Sequence, residues 1–189
     1  AIRLAPESTS ASYAMRFSSA SSNVNVAYNT VSLVGGGSSS AAVMLGDVVK
    51  GTFVNNLLQN EGNGYVWRAN KADYIADAEF KRNVMHTAGT SIAYVAEAIS
   101  GREDWAETTG DTTSIDASKA FVSDIELMPA SADNLNIAEP LSYVTTDITG
   151  ATRAAAPTVG AYEFSDQFPI PDYAEGYPQF VGIANTSAT

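Results

Sequence analysis

Three heptapeptides recur along the first half of this chain. They are Ala27-Tyr-Asn-Thr-Val-Ser-Leu33, Phe53-Val-Asn-Asn-Leu-Leu-Gln59 and Phe80-Lys-Arg-Asn-Val-Met-His86, offset by 26 and 27 positions. One apolar column reads Ala27, Phe53, Phe80 and a second reads Val31, Leu57, Val84. Between them sit the polar pairs Asn29-Thr30, Asn55-Asn56 and Arg82-Asn83. A repeat of this length holds one supersecondary unit, which cannot bury its apolar face alone and gains a continuous core only by stacking on its neighbours. The polar pair marks a bend. Asn tolerates the left-handed backbone that a sharp bend needs, and Asn residues set one above another form side-chain ladders.

A second short apolar element precedes each heptapeptide or follows the last: Ser12-Tyr-Ala-Met15, Ala41-Ala-Val-Met44, Gly64-Tyr-Val-Trp67 and Ser91-Ile-Ala-Tyr94. It reads as another wall of the same coil, with turns at Gly35-Gly-Gly-Ser-Ser-Ser40 and Asn60-Glu-Gly-Asn-Gly64. Three coils and part of a fourth follow from this count. Composition agrees. Only 16% of the residues are charged, and the polar load falls on Ser, Thr, Asn and Gly, which suit turns and strand faces better than helix surfaces.

The formal net charge of -11, with ten scattered Lys and Arg, argues against a generic nucleic-acid binder or a protein that inserts into or coats an anionic membrane. With no cysteine there is no disulfide scaffold, thiolate metal site or thiol nucleophile. No apolar run approaches the roughly 18 residues of a membrane span. The chain starts at Ala1 without a basic n-region or apolar h-region, and reads as a processed form or an excised fragment.

Beyond Tyr94 the pattern changes. Ser100-Gly-Arg-Glu103 fits a capping box, which predicts a short helix running to about Thr109 and stopping at Gly110. Ser114-Ile-Asp-Ala-Ser-Lys-Ala-Phe121 and Asp124-Ile-Glu-Leu127 read as further strands. Thr145-Thr-Asp-Ile-Thr-Gly150 follows, then Arg153, a stop at Pro157 and a short strand ending Gly160-Ala-Tyr-Glu163. With Trp105, Asp111, Ser114, Phe121, Asp124 and Leu127 upstream of it, this closing segment resembles that of secreted bacterial right-handed parallel β-helix proteins, the pectate-lyase-like architecture. One departure is Lys119-Ala120, where that family usually carries Asp-Pro.

The fold expected is therefore all-β: a right-handed parallel β-helix, or solenoid, with a short helix-bearing cap and an extended tail. Residues 1–99 would be coils, 100–164 the terminal coil and cap, and 165–189 a Pro- and aromatic-rich tail, all within one domain.

For chemistry, the lone His86 sits at a strand position without a nucleophile motif, and one His cannot make a two-His zinc site. Lyases and hydrolases that the resemblance brings in would need clustered carboxylates. Asp47, Asp73, Asp77 and Glu79 do not repeat from coil to coil, and Arg16, Arg68 and Arg82 lack an acidic partner at matched offsets. No catalytic residue is assigned. Tyr13, Tyr65, Trp67, Tyr74 and Tyr94 are candidates for a platform that stacks sugar rings; the alternative is that some of them point inward as core. Asp111 and Asp116 offer oxygen ligands for Ca²⁺, and equally suit turns. Asp147, Arg153 and Glu163 read as a structural set that closes the last coil.

The resemblance implies an extracellular or bacterial cell-surface module, structural or adhesive, with an extracellular glycan as its partner. A polysaccharide lyase or glycoside hydrolase on the same scaffold is the rival. A first coil without a recognisable cap points to missing N-terminal coils or to self-association, head to tail.

Overall fold

Each short strand of a coil buries one face and leaves its backbone groups to the coils above and below it. The computed structural model, which describes residues 1–164, resolves this into a parallel β-solenoid of about 4 turns. The segment 165–189, expected from its sequence to be an extended tail, lies outside the described residues.

Three walls run along the stack. The first is built from Ile2–Leu4, Thr30–Leu33, Leu57–Asn60, Val84–Thr87 and Ile115–Asp116. The second holds Tyr13–Phe17, Ala41–Leu45, Tyr65–Ala69 and Ala93–Val95, and ends in the antiparallel strand Glu97–Ile99. The third holds Ser21–Ala27, Val49–Val54 and Ala78–Lys81. All other neighbours pair in parallel.

The register corrects the sequence alignment by one residue in the first coil. Phe53 pairs with Phe80 as expected, but Val26 pairs with Phe53 where Ala27 was expected. Leu58 faces Val31, and Leu57 faces Thr30. The true offset is 27 in both steps. A slip of one exchanges the two faces of a strand, so Val26 and Val31, both buried in the main core, take the inward places.

This register explains the polar pair. Its first member bends the chain: Tyr28, Asn55 and Arg82 all adopt a left-handed φ, at 54°, 59° and 53°. Its second member, Asn29, Asn56 and Asn83, forms the ladder. Asn56 Oδ1 accepts from the backbone N–H and the Nδ2 of Asn29 (2.9 and 3.1 Å). Asn83 Oδ1 accepts from the same two groups of Asn56 (3.0 and 2.9 Å). Ser114 Oγ receives the Asn83 N–H and ends the series.

Aromatic rings fill the column inside. Phe53 stacks on Phe80 with centroids 5.2 Å apart, and Phe17 and Trp67 meet Phe53 edge-on. Such pairs add about 0.5–1.5 kcal/mol each beyond area burial. The helix Arg102–Thr109 closes this column by laying Trp105 on Trp67 (5.8 Å) and against Phe80 (5.0 Å). It stops at Gly110, whose φ of 78° a side chain would strain. The expected capping box is absent: the N-cap is Gly101 and it makes no side-chain cap.

After the helix, strand structure is sparser than the sequence pattern suggests. Phe121 makes only an isolated bridge to Pro129, and residues 124–127 and 160–163 form no strand. Their partners are side chains and loop atoms instead. Ala161 N–H donates to Thr30 Oγ1, Gly160 N–H to the Asn55 carbonyl and Glu163 N–H to Asp147 Oδ2. Gln59, buried on the first wall, exchanges amide hydrogen bonds with the backbone of Lys119. This C-terminal meander thereby covers the outer face of the first wall, where Leu135 and Val159 pack on Leu57 and Val84.

Candidate functional site

With the first wall covered, the outer face of the second wall becomes the place to look. Val43, Leu45, Trp67, Ala69, Ala93 and Val95 enter the core, so the residues between them turn away from it. The register aligns Arg16, Met44, Arg68 and Tyr94 in one row across four coils. A neighbouring row carries Tyr13, Ala41 and Tyr65. The spacing Tyr-x-x-Arg thus appears at Tyr13/Arg16 and again two coils on at Tyr65/Arg68, about 10 Å along the axis.

The cations lie on the rings. The Arg68 guanidinium is 4.7 Å from the centre of Tyr94 and 5.7 Å from that of Tyr65, whose ring in turn lies 5.7 Å from Tyr94. Arg16 is 5.7 Å from the Tyr13 ring. Each contact holds a flat guanidinium by cation–π attraction.

Among the five aromatics expected as a platform, Tyr13, Tyr65 and Tyr94 share this wall and are half-buried. Trp67 does not belong. It is 1% exposed, stacks on Trp105 and donates from Nε1 to Met85 Sδ. Its position in the pleat sends it to the core. Tyr74 stands off the wall in the turn Ala72–Tyr74, with Lys71 Nζ 5.5 Å from its ring.

Charge pairing sets the face apart. Of the ten Lys and Arg, Arg3, Lys50, Lys81, Arg82 and Arg153 pair with carboxylates. Arg82, expected to lack an acid, meets Glu139 at 3.2 Å. Arg102 and Lys119 bind backbone carbonyls. Arg16, Arg68 and Lys71 have no carboxylate partner among the described residues, and each lies over a tyrosine. Arg68 Nε is buried and makes no hydrogen bond among the described residues. The repeated Tyr-x-x-Arg spacing was the signal in the sequence that marks the face.

The remaining candidates are tied into structure. Asp111 is buried and accepts from Trp105 Nε1, from Thr113 N and Oγ1, and from Ser114 N. Asp116 turns to His86, with Oδ1 3.4 Å from Nδ1. No group of three or more His, Cys, Asp or Glu able to hold a metal is assembled among the described residues. Asp77 and Glu79 pair with Lys50 and Lys81, and Asp47 accepts from the N–H of Val48.

Asp147, Arg153 and Glu163 do meet. Arg153 pairs with Glu163 at 3.2 Å, the side chains 4% and 7% exposed. Asp147 Oδ2 accepts from Glu163 N, and Oδ1 from Thr149 N and Oγ1 and Ala151 N. Burial alone would raise the Asp147 pKa, but these donors outweigh it and hold the carboxyl below its ordinary value. The guanidinium of Arg153 lies 3.7 Å from the centre of the Tyr28 ring, and Tyr28 Oη donates to the Glu139 carbonyl. These contacts pin the closing segment to the bend of the first coil.

No family model, curated protein or solved structure matches the chain.

Proposed function

We propose that this chain is an extracellular, surface-displayed solenoid module that binds acidic polysaccharide along its second wall. One observation carries the reading: Arg68 lies over Tyr94 and Tyr65 and has no carboxylate partner among the described residues. A pyranose ring presents an apolar face that packs on tyrosine, and a sugar carboxylate accepts a bidentate guanidinium. The second Tyr/Arg pair, two coils away, sets a repeat along the axis that suits a polymer lying lengthwise. The net charge of -11 opposes an anionic ligand at long range. Beyond about 8 Å physiological salt screens that repulsion, so the local arginines decide.

The likeness of the closing segment to secreted β-helix proteins supports the extracellular setting. A lyase or hydrolase would need converging carboxylates, whereas Asp77, Glu79 and Glu139 are held in ion pairs.

Affinity electrophoresis in gels containing alginate tests the reading, with dextran as the neutral control. Retardation by alginate alone is expected. Arg16→Ala with Arg68→Ala should weaken it about tenfold or more, since a charge-assisted hydrogen bond contributes about 1.5–3 kcal/mol. Lys50→Ala, on the third wall, should leave it unchanged. Equal retardation of the double variant and the parent would refute the assignment.

A further inference from the structure

The alternation of residues along the second wall sets the repeat of a polymer that lies along it. The outward row reads Arg16, Met44, Arg68 and Tyr94, so a cation stands on the first and third coils and none on the second and fourth. The neighbouring row, Tyr13, Ala41 and Tyr65, keeps the same order, with a ring on each coil that carries an arginine. Adjacent coils lie about 4.8 Å apart, so the two arginine levels are about 10 Å apart along the axis.

The level between them offers nothing to a charge. Ala41 is fully buried and Met44 is 4% exposed. A methyl and a thioether carry no hydrogen-bond donor. The strand Ala41–Leu45 also pairs on both sides, with Tyr13–Phe17 and with Tyr65–Ala69. A carboxylate held at this level would lose water without gaining a partner. Past the fourth coil the surface turns acidic. Glu97–Ile99 pairs with the Tyr94 strand, and Glu97 lines a shared depression with Asp104 and Glu107 of the helix Arg102–Thr109. A polyanion on this wall thus meets two cationic levels and is repelled at the helix end.

An extended pyranose chain advances by close to one coil spacing per sugar, so two coils take up two sugars. We propose that the second wall reads a two-sugar repeat: carboxylates on every second sugar meet Arg16 and Arg68, and the sugar between them lies over Ala41 and Met44 without turning a charge to the protein. This rests on the acidic-polysaccharide reading and narrows its ligand to chains with one wall-facing carboxylate per two sugars. A chain of uronates alone meets the condition when alternate rings turn their carboxylates away, and so serves as the probe.

Oligouronates of two to six sugars, cut from alginate and titrated calorimetrically into the full chain, test the repeat. A disaccharide reaches one arginine level. A trisaccharide spans both, and its second contact forms within the complex at high effective concentration. Affinity should rise at least tenfold from two sugars to three, and by under about threefold from three to six, because the added sugars reach no further cation. Arg16→Ala should abolish the step, so that two and three sugars bind alike. An equal gain with each added sugar, a plateau already reached at two sugars, or a step that survives Arg16→Ala would each overturn the two-sugar repeat and leave acidic-sugar binding standing. No binding at any length would overturn the repeat together with the acidic-polysaccharide reading beneath it.

Discussion

Asn56→Ala is the perturbation that most directly tests the polar ladder as a structural element. Asn56 is fully buried. Its Oδ1 receives the Asn29 N–H and Nδ2, and its Nδ2 donates to the Val26 carbonyl and to Asn83 Oδ1. Alanine leaves the Asn29 N–H and the Val26 carbonyl without these partners, while Asn83 Oδ1 keeps the bond from the Asn56 backbone N–H. Two stranded groups at about 1–3 kcal/mol each put the cost at about 2–6 kcal/mol. Asn29→Ala is the internal control. That residue begins the ladder, is only half-buried, and its side chain donates to the Ala27 carbonyl and to Asn56 Oδ1 without accepting from another coil. Water replaces those bonds at about 1 kcal/mol or less. Urea unfolding followed by tryptophan fluorescence reads both. At a slope of about 2 kcal/mol per molar urea, the Asn56→Ala midpoint should fall by about 1–3 M and that of Asn29→Ala by about 0.5 M or less. Equal shifts, or a larger one for Asn29→Ala, would refute the idea that depth in the stack sets the value of a rung.

Trp105→Ala removes the ring that closes the aromatic column over Trp67 and Phe80, at a cost of about 3–5 kcal/mol. Hydrogen exchange should show the strands Val84–Thr87 and Ala93–Val95 losing protection before Ala41–Leu45 does; uniform loss would contradict its capping role. Asp147 should make the fold acid-sensitive in a defined window. Its folded pKa lies below the reference 3.8, so the unfolded chain takes up the proton first. The stabilisation is complete above about 3.8 and falls away as pH drops through the folded value. Asp147→Asn should therefore flatten stability against pH below about 4 in thermal melts, and a parallel profile would count against the assigned donors.

How much of this was legible in the sequence depends on which force wrote each signal. Phe53 over Phe80 was visible because burial in a stacked column demands a large apolar residue at each coil. The first coil was misaligned because Ala27 and Val26 are adjacent and both apolar, and nothing local fixes the register to one of them. The Asn ladder resolves it, since hydrogen bonds between side chain and backbone require a strict offset of 27. Trp67 was misassigned for the same reason: two neighbouring aromatics, Tyr65 and Trp67, cannot be sorted into outside and inside until a bend in the strand is known. The partners of Arg82 and Arg153 come from residues 57 and 10 positions away, through a meander with no periodic pattern to announce it. Its backbone groups are satisfied one at a time by Thr30, Asn55 and Asp147, a pattern that composition does not encode.

The three walls differ in what their outer faces are free to do. The first is committed to the meander, with Gln59 joined to the Lys119 backbone and Leu57 under Val159. The third carries charges, but Lys50 and Asp77 satisfy each other, as do Lys81 and its two glutamates. Such exposed pairs contribute little to stability, and they leave no cation for a ligand. Only on the second wall do guanidiniums rest on tyrosine rings without a carboxylate partner among the described residues. A solenoid core places few demands on outward residues, so two Arg in one row of a chain with ten cations and 21 acids are not what solubility or packing would select. The proposed acidic-polysaccharide site rests on these cations, which have no carboxylate partner among the described residues.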